Sequence, residues 1–218
     1  MKKISIKTCL KNSIILLLPL FGNNIFSQEV NPENDTIQIK EVVVVKNSKK
    51  LKVKTLLLDG PCYYPDNMHN AAEIITLADN LPEGTLESIS FYFNELARRG
   101  QAEKFRDNEF ELVLYTANGD GTPGARIVHD RLTVKVARTF SGRLVIDLAI
   151  LAIESDEKMF VGLKRITPPE GEDEFFIDCV CNGLDKYITL VRKDAASPWE
   201  RRWQCAALKA EVSVAAHR

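Results

Sequence analysis

The sequence predicts an all-β domain, an antiparallel β-sandwich of about nine strands, and three observations carry that expectation. Apolar and polar residues alternate with a period of two through residues 86–93, 110–115, 132–136, 144–148 and 159–163, the signature of strands with one face on a core. Gly, Pro, Asn and Asp interrupt these runs at short intervals. No long segment of helical periodicity separates them, which excludes parallel βαβ architecture.

The first 27 residues read as a secretory signal peptide outside the fold. Lys2, Lys3, Lys7 and Lys11 form a basic start, Ile14 to Phe21 an apolar run, and Asn24 to Ser27 a polar end with a small residue at the cleavage point. A retained membrane span needs about 20 apolar residues, and this run is shorter and broken by Pro19 and Gly22. No transmembrane segment is expected after cleavage. The expected address is periplasmic, outer-membrane-associated or extracellular. Residues 28–49 form a flexible N-terminal segment, and residues 50–218 the sandwich domain.

Within that N-terminal segment lies Asp35-Thr-Ile-Gln-Ile-Lys-Glu-Val-Val-Val-Val45. It resembles the Ton box of TonB-dependent outer-membrane transporters, where an acidic residue precedes a valine run. The resemblance implies a strand that docks on an energy-transducing partner. A plain valine-rich strand has the same composition. Lys46 to Lys54 is locally basic and reads as a solvated lead into an edge strand whose lysines discourage edge-to-edge pairing.

Leu51, Val53, Thr55 and Leu57 alternate with lysines and predict the first strand of the domain. Cys62 to Asn70 is a loop with two exposed tyrosines, Ala71 to Leu77 a short helix or strand, and Asp79 to Gly84 a turn. In the next strand Ile89, Phe91 and Phe93 share one face, with Ser88, Ser90, Tyr92 and Asn94 on the other. Glu95 to Asp107 is a charged surface loop with a helical turn. Phe110, Leu112 and Leu114 oppose Glu111, Val113 and Tyr115 across one strand, and Asn118-Gly-Asp-Gly-Thr-Pro-Gly124 turns the chain. Leu132, Val134 and Val136, then Leu144, Ile146 and Leu148, then Met159, Val161 and Leu163 carry three further strands. After the acidic loop 168–174, the segments Phe175 to Cys181 and Tyr187 to Val191 flank Asn182-Gly-Leu-Asp185, which predicts a hairpin. Asp194 to Pro198 is a loop, and Trp203 to Val214 closes the chain with a strand beside an early one.

Residues 50–214 resemble the jelly-roll modules of secreted and surface proteins of Gram-negative bacteria. The carrying residues are Ile89-Ser-Phe-Tyr-Phe93, Phe110-Glu-Leu-Val-Leu-Tyr115 with Gly121-Thr-Pro-Gly124, Leu144-Val-Ile-Asp-Leu148 and Met159-Phe-Val-Gly-Leu163. The resemblance implies a ligand-binding or adhesion unit.

Charge and cysteines bound the function further. Removing the leader's four lysines from 29 leaves 25 Lys and Arg against 30 Asp and Glu, a net charge of −5. Such a chain lacks the basic surface of a nucleic-acid binder. Cys62, Cys179, Cys181 and Cys205 remain, an even number that in an oxidising compartment predicts disulfides. Cys179 and Cys181 share one side of an extended strand and cannot readily bond each other. Cys62 is therefore expected to join one and Cys205 the other. A thiolate metal site using three of these sulfurs and His69 is the alternative, disfavoured by export.

No catalytic centre is legible. A nucleophile needs a base and an orienting acid, and the three histidines are His69 and His129 in loops and His217 in the tail. No Gly-x-Ser-x-Gly elbow is present, so a secreted hydrolase is the remote alternative. Asn118-Gly-Asp-Gly121 and Glu170 to Glu174 offer oxygens suited to calcium, but neither has EF-hand spacing, and no cofactor is expected. The remaining lead is aromatic. Tyr63 and Tyr64, with Trp199-Glu-Arg-Arg-Trp203, supply flat rings with polar handles for a sugar or a protein. Trp199, Arg201 and Trp203 share one face if that run is extended. A structural reading has arginine stacked over tryptophan as a surface clasp. The sequence thus predicts a non-enzymatic binding module for a glycan or an envelope protein, with loop aromatics lining its main concavity. The alternative is an accessory of TonB-dependent uptake that docks through residues 35–45.

Overall fold

Two-residue alternation becomes two antiparallel sheets packed over one apolar core. The computed structural model describes residues 52–60, 63–66, 68, 70–95, 105–128, 130–169, 175–181, 186–202 and 207–217, all within one unit of the chain, Asn47–Arg218. The leader, the N-terminal segment and its Ton-box-like run lie outside these residues.

The first sheet has eight strands: β1 (Lys52–Leu58), β2 (Tyr63–Asp66), β4 (Gly84–Phe93), β8 (Gly142–Asp147), β9 (Glu154–Ser155), β11 (Ile177–Val180), β14 (Ala207–Leu208) and β15 (Ala210–Ala216). The second has seven: β3 (Glu73–Asp79), β5 (Asn108–Ala117), β6 (Pro123–Arg126), β7 (Leu132–Val136), β10 (Lys158–Arg165), β12 (Thr189–Arg192) and β13 (Glu200–Arg201). The spatial order is β1-β15-β4-β11-β14 in the first, with β8 and β9 beside β4 and β2 beside β11. In the second it is β13-β12-β3-β10-β5-β6, with β7 also on β5. A short 3-10 turn, Ala149–Leu151, follows β8. Among the described residues no helix is long and apolar enough to cross a membrane.

The all-β class and the two packed antiparallel sheets agree with the sequence reading, whereas the described residues alone hold fifteen strands against the expected nine. The excess comes from short pieces such as β9, β13 and β14, two residues each, which are too brief to leave a periodic signal.

The inward faces follow the alternation. Phe91 and Phe93 of β4 meet Phe110, Leu112 and Leu114 of β5 and Met159, Val161 and Leu163 of β10 in a single cluster. Phe110 links the layers, with its ring 5.4 Å from that of Phe93 and 5.0 Å, edge to face, from that of Phe175. Leu86 also faces inward although it lies three residues before Ile89. A register shift makes this possible: Ser213 faces Ser88 and Val214 faces Leu86, which leaves Glu87 as an extra residue. The bulge resets the phase.

Three expectations change, and one open choice is settled. The apolar run at 71–77, open to helix or strand, enters strand β3 from Glu73, which is covered on both sides. In β1 the inward residues are Leu56 and Leu58, while Val53 and Leu57 stand 53% and 57% exposed. Strands β11 and β12 do not pair as a hairpin, since β11 belongs to the first sheet and β12 to the second; residues 182–185 between them lie outside the described residues. Lastly, the scheme of two disulfides fails, because Cys179 is a free, fully buried thiol, while Cys181 is disulfide-bonded. Cys179 packs as a small apolar side chain between the registers of Tyr64 and Leu208. Cys62 and Cys205 lie outside the described residues.

Candidate functional site

The aromatic residues expected to act together are divided between the two sheets. Tyr63 and Tyr64 lie on β2 at the margin of the first, whereas Trp199 and Arg201 lie at the β13 margin of the second. Trp203, His69 and His129 lie outside the described residues.

Trp199 is half-buried and immobilised. The Arg192 guanidinium sits 4.4 Å over its ring, and the Tyr115 ring meets it edge-on at 5.8 Å. These residues cover a second apolar cluster, Ile75, Val113, Tyr115, Phe160 and Leu190, on the outer face of the second sheet. The arginine over Trp199 is Arg192 of β12, not Arg201 or Arg202 of its own run. Beside it runs a row of alternating charge, with Arg192 opposite Glu73, Glu73 opposite Lys164, and Lys164 opposite Glu111. Tyr115 donates to Glu73 at 2.6 Å and accepts from Arg192 at 2.9 Å. Arg126 binds Glu111 at 2.5 Å, and Lys164 lies 3.5 Å from the same carboxylate. Both glutamates are buried and ion-paired, so neither is a free acid or base.

The first sheet gathers a different set. Lys209, just before β15, places its ammonium 4.2 Å from the ring of Tyr63 and 4.1 Å from that of Tyr92, a cation held between two π-faces. Its Nζ also lies 3.7 Å from Glu95. Tyr92 donates to Glu211, which Arg143 binds at 2.5 Å. Burial, and then the Glu211 carboxylate, push the Tyr92 hydroxyl up to about 12, so it stays a neutral donor at physiological pH. Tyr63 and Tyr64 are 42% and 45% exposed. Because β2 is paired only with β11 among the described residues, its successive side chains reach solvent on either side of the margin.

Sequence reasoning placed Tyr92 on the polar face of its strand but did not join it to Tyr63. Lys209, Glu211, Glu95 and Arg143 were missed. The only signal was the polar alternation of β4, since the other partners arrive from distant parts of the chain.

Two clefts among the described residues lie elsewhere. One of about 350 Å³ is lined by Met68, Asn70, Ala72, Arg165, Thr167 and Lys193. Another of about 460 Å³ includes Leu57, Leu77, Asp79, Tyr187 and Arg201. Neither of these two clefts is lined by Tyr63, Tyr64 or Trp199.

Of the oxygen-rich segments, Asn118–Gly121 is accounted for by its turn. Asp120 accepts from the backbone of Thr122 at 3.0 Å and from its hydroxyl at 2.6 Å, and these bonds hold its carboxyl below the usual range. Residues 170–174 lie outside the described residues. Among the described residues no three His, Cys, Asp or Glu side chains group as metal ligands. His217 stands at the surface, 3.9 Å from Glu154.

Compared with known proteins, the chain matches no family model, no curated protein and no solved structure.

Proposed function

We propose that the protein is a non-enzymatic binding module that recognises a glycan at the Tyr63 margin of its first sheet. The two-sheet architecture supports a jelly-roll fold for it, and the leader-like N-terminus supports export to the periplasm or cell surface. The observation that carries the reading is the exposure of Tyr63 beside polar groups already fixed in place. The Tyr63 ring lies over Lys209, Lys209 over Tyr92, and Tyr92 donates to Glu211. A sugar stacks its C–H face on an aromatic ring and directs hydroxyls to neighbouring polar groups. Arg143 and Glu95, 44% and 42% exposed, belong to the same network through Glu211 and Lys209 and offer such groups. Little ordering is left to be done on binding, which favours affinity. The buried Glu73 and Glu111 carboxylates are committed to ion pairs, which accords with a role in recognition.

A glycan array followed by calorimetry tests this. The wild type binds at least one glycan, Tyr63→Ala weakens that binding by about tenfold, and Trp199→Ala leaves it unchanged. Wild type that binds no glycan, or binding indifferent to Tyr63→Ala, overturns it.

A further inference from the structure

We infer that the free margin of β1 is a strand-addition site for an extended, acidic peptide segment of another protein. The inference does not depend on glycan recognition. Strand β1 runs seven residues in unbroken register with β15, from Lys52 opposite Ala216 to Leu58 opposite Ala210. Among the described residues it has no neighbour on its other side. A margin of this kind offers unpaired N–H and C=O groups, and proteins shield it by shortness, a bulge, proline or charged side chains, above all lysine. Of these β1 has only its lysines, which repel a like-charged strand and attract an acidic one.

Its side chains specify the occupant. Val53, Thr55 and Leu57 point to one side, and Val53 and Leu57 are each more than half exposed. Lys52 and Lys54 alternate with them on the other side and are exposed. Lysines opposite lysines repel, so a second β1 is rejected. An incoming strand with apolar residues facing Val53 and Leu57 and acids facing Lys52 and Lys54 is complementary on both sides. Main-chain bonds supply affinity in such complexes, and the alternating side chains supply selectivity. The other long margin, β8, mixes Arg143 with Asp147 and offers no such single-sign row.

The test uses the full chain, labelled with nitrogen-15, and the synthetic peptide Glu-Val-Glu-Val-Glu-Val-Glu. The peptide shifts the β1 amides and slows exchange of those facing the free margin. The Lys-Val counterpart binds about tenfold more weakly, since two cross-strand charge pairs reverse sign. Combining Lys52→Glu with Lys54→Glu inverts that preference. Equal response to both peptides, no change in β1, or a preference unaltered in the double variant overturns the inference. Margin-facing amides already slow in the free chain would mean that its own N-terminal segment fills the site, which also overturns it.

Discussion

Arg192 donates twice to one oxygen of Glu73, from Nε at 2.8 Å and from Nη2 at 2.6 Å, on the outer face of the second sheet. The Glu73 side chain is 2% exposed and that of Arg192 18%, so the pair has largely left water. Removing one partner leaves the other charged and poorly solvated. Glu73→Ala is therefore expected to lower unfolding free energy by about 3 kcal/mol, at the lower end for buried pairs because Arg192 keeps some solvent. Replacing both residues with Met should recover part of that loss. Urea denaturation of the two variants measures it, and a loss under about 0.5 kcal/mol would show the pair to be ordinary surface charge.

Glu111 makes the stability depend on acid. Burial alone would raise its carboxyl, but the hydrogen bond and charge of Arg126, aided by Lys164, outweigh that and hold it below its usual range. A carboxyl lowered by folding stabilises the native state above its unfolded value, near pH 4.3, and loses that contribution as pH falls through the folded value. The stability difference between wild type and Glu111→Gln should be constant above about pH 5.5 and shrink in more acidic solution. Denaturation curves at pH 7, 5 and 3 would show it. A difference that grows toward low pH has the wrong sign.

Gly162 lies in the middle of β10, opposite Ile75 and Val113. A Cβ there would meet the carbonyl oxygen of Ile74 at 2.0 Å and the Cα of Ile75 at 2.6 Å. Backbone cannot yield as a side-chain tip can, so Gly162→Ala should destabilise by about 3 kcal/mol. The melting temperature should fall accordingly, and a neutral substitution would mean that the sheet is looser at this point.

Cys179 is expected to be inert. Burial pushes its thiol far above the usual range, with a smaller push from Asp178, so the reactive thiolate is scarce. Peptide mapping after iodoacetamide at pH 8 should find Cys179 unmodified in the folded chain and modified after denaturation. Rapid labelling of the native protein would place the sulfur at the surface.

The candidate site was less legible than the fold. Tyr63 and Tyr64 stood out as aromatic residues in a polar stretch, but Lys209, Tyr92 and Arg143 are ordinary residues of other strands. Only sheet order makes them neighbours. The Trp199 run suggested a binding surface, and tertiary packing assigned Trp199 to the cover of an apolar cluster.

By itself the sequence determined the all-β class and the inward faces of β4, β5, β7 and β10, because a strand's side-chain period is local and needs no partner to be read. Tertiary structure alone decided the sheet to which each strand belongs, the crossing between β11 and β12, and the burial of Glu73 and Glu111 on a face that alternation marks as outward. It also decided that Cys179 stays a thiol. Those outcomes depend on contacts between residues far apart along the chain, where packing and charge pairing override what any short window of residues prefers.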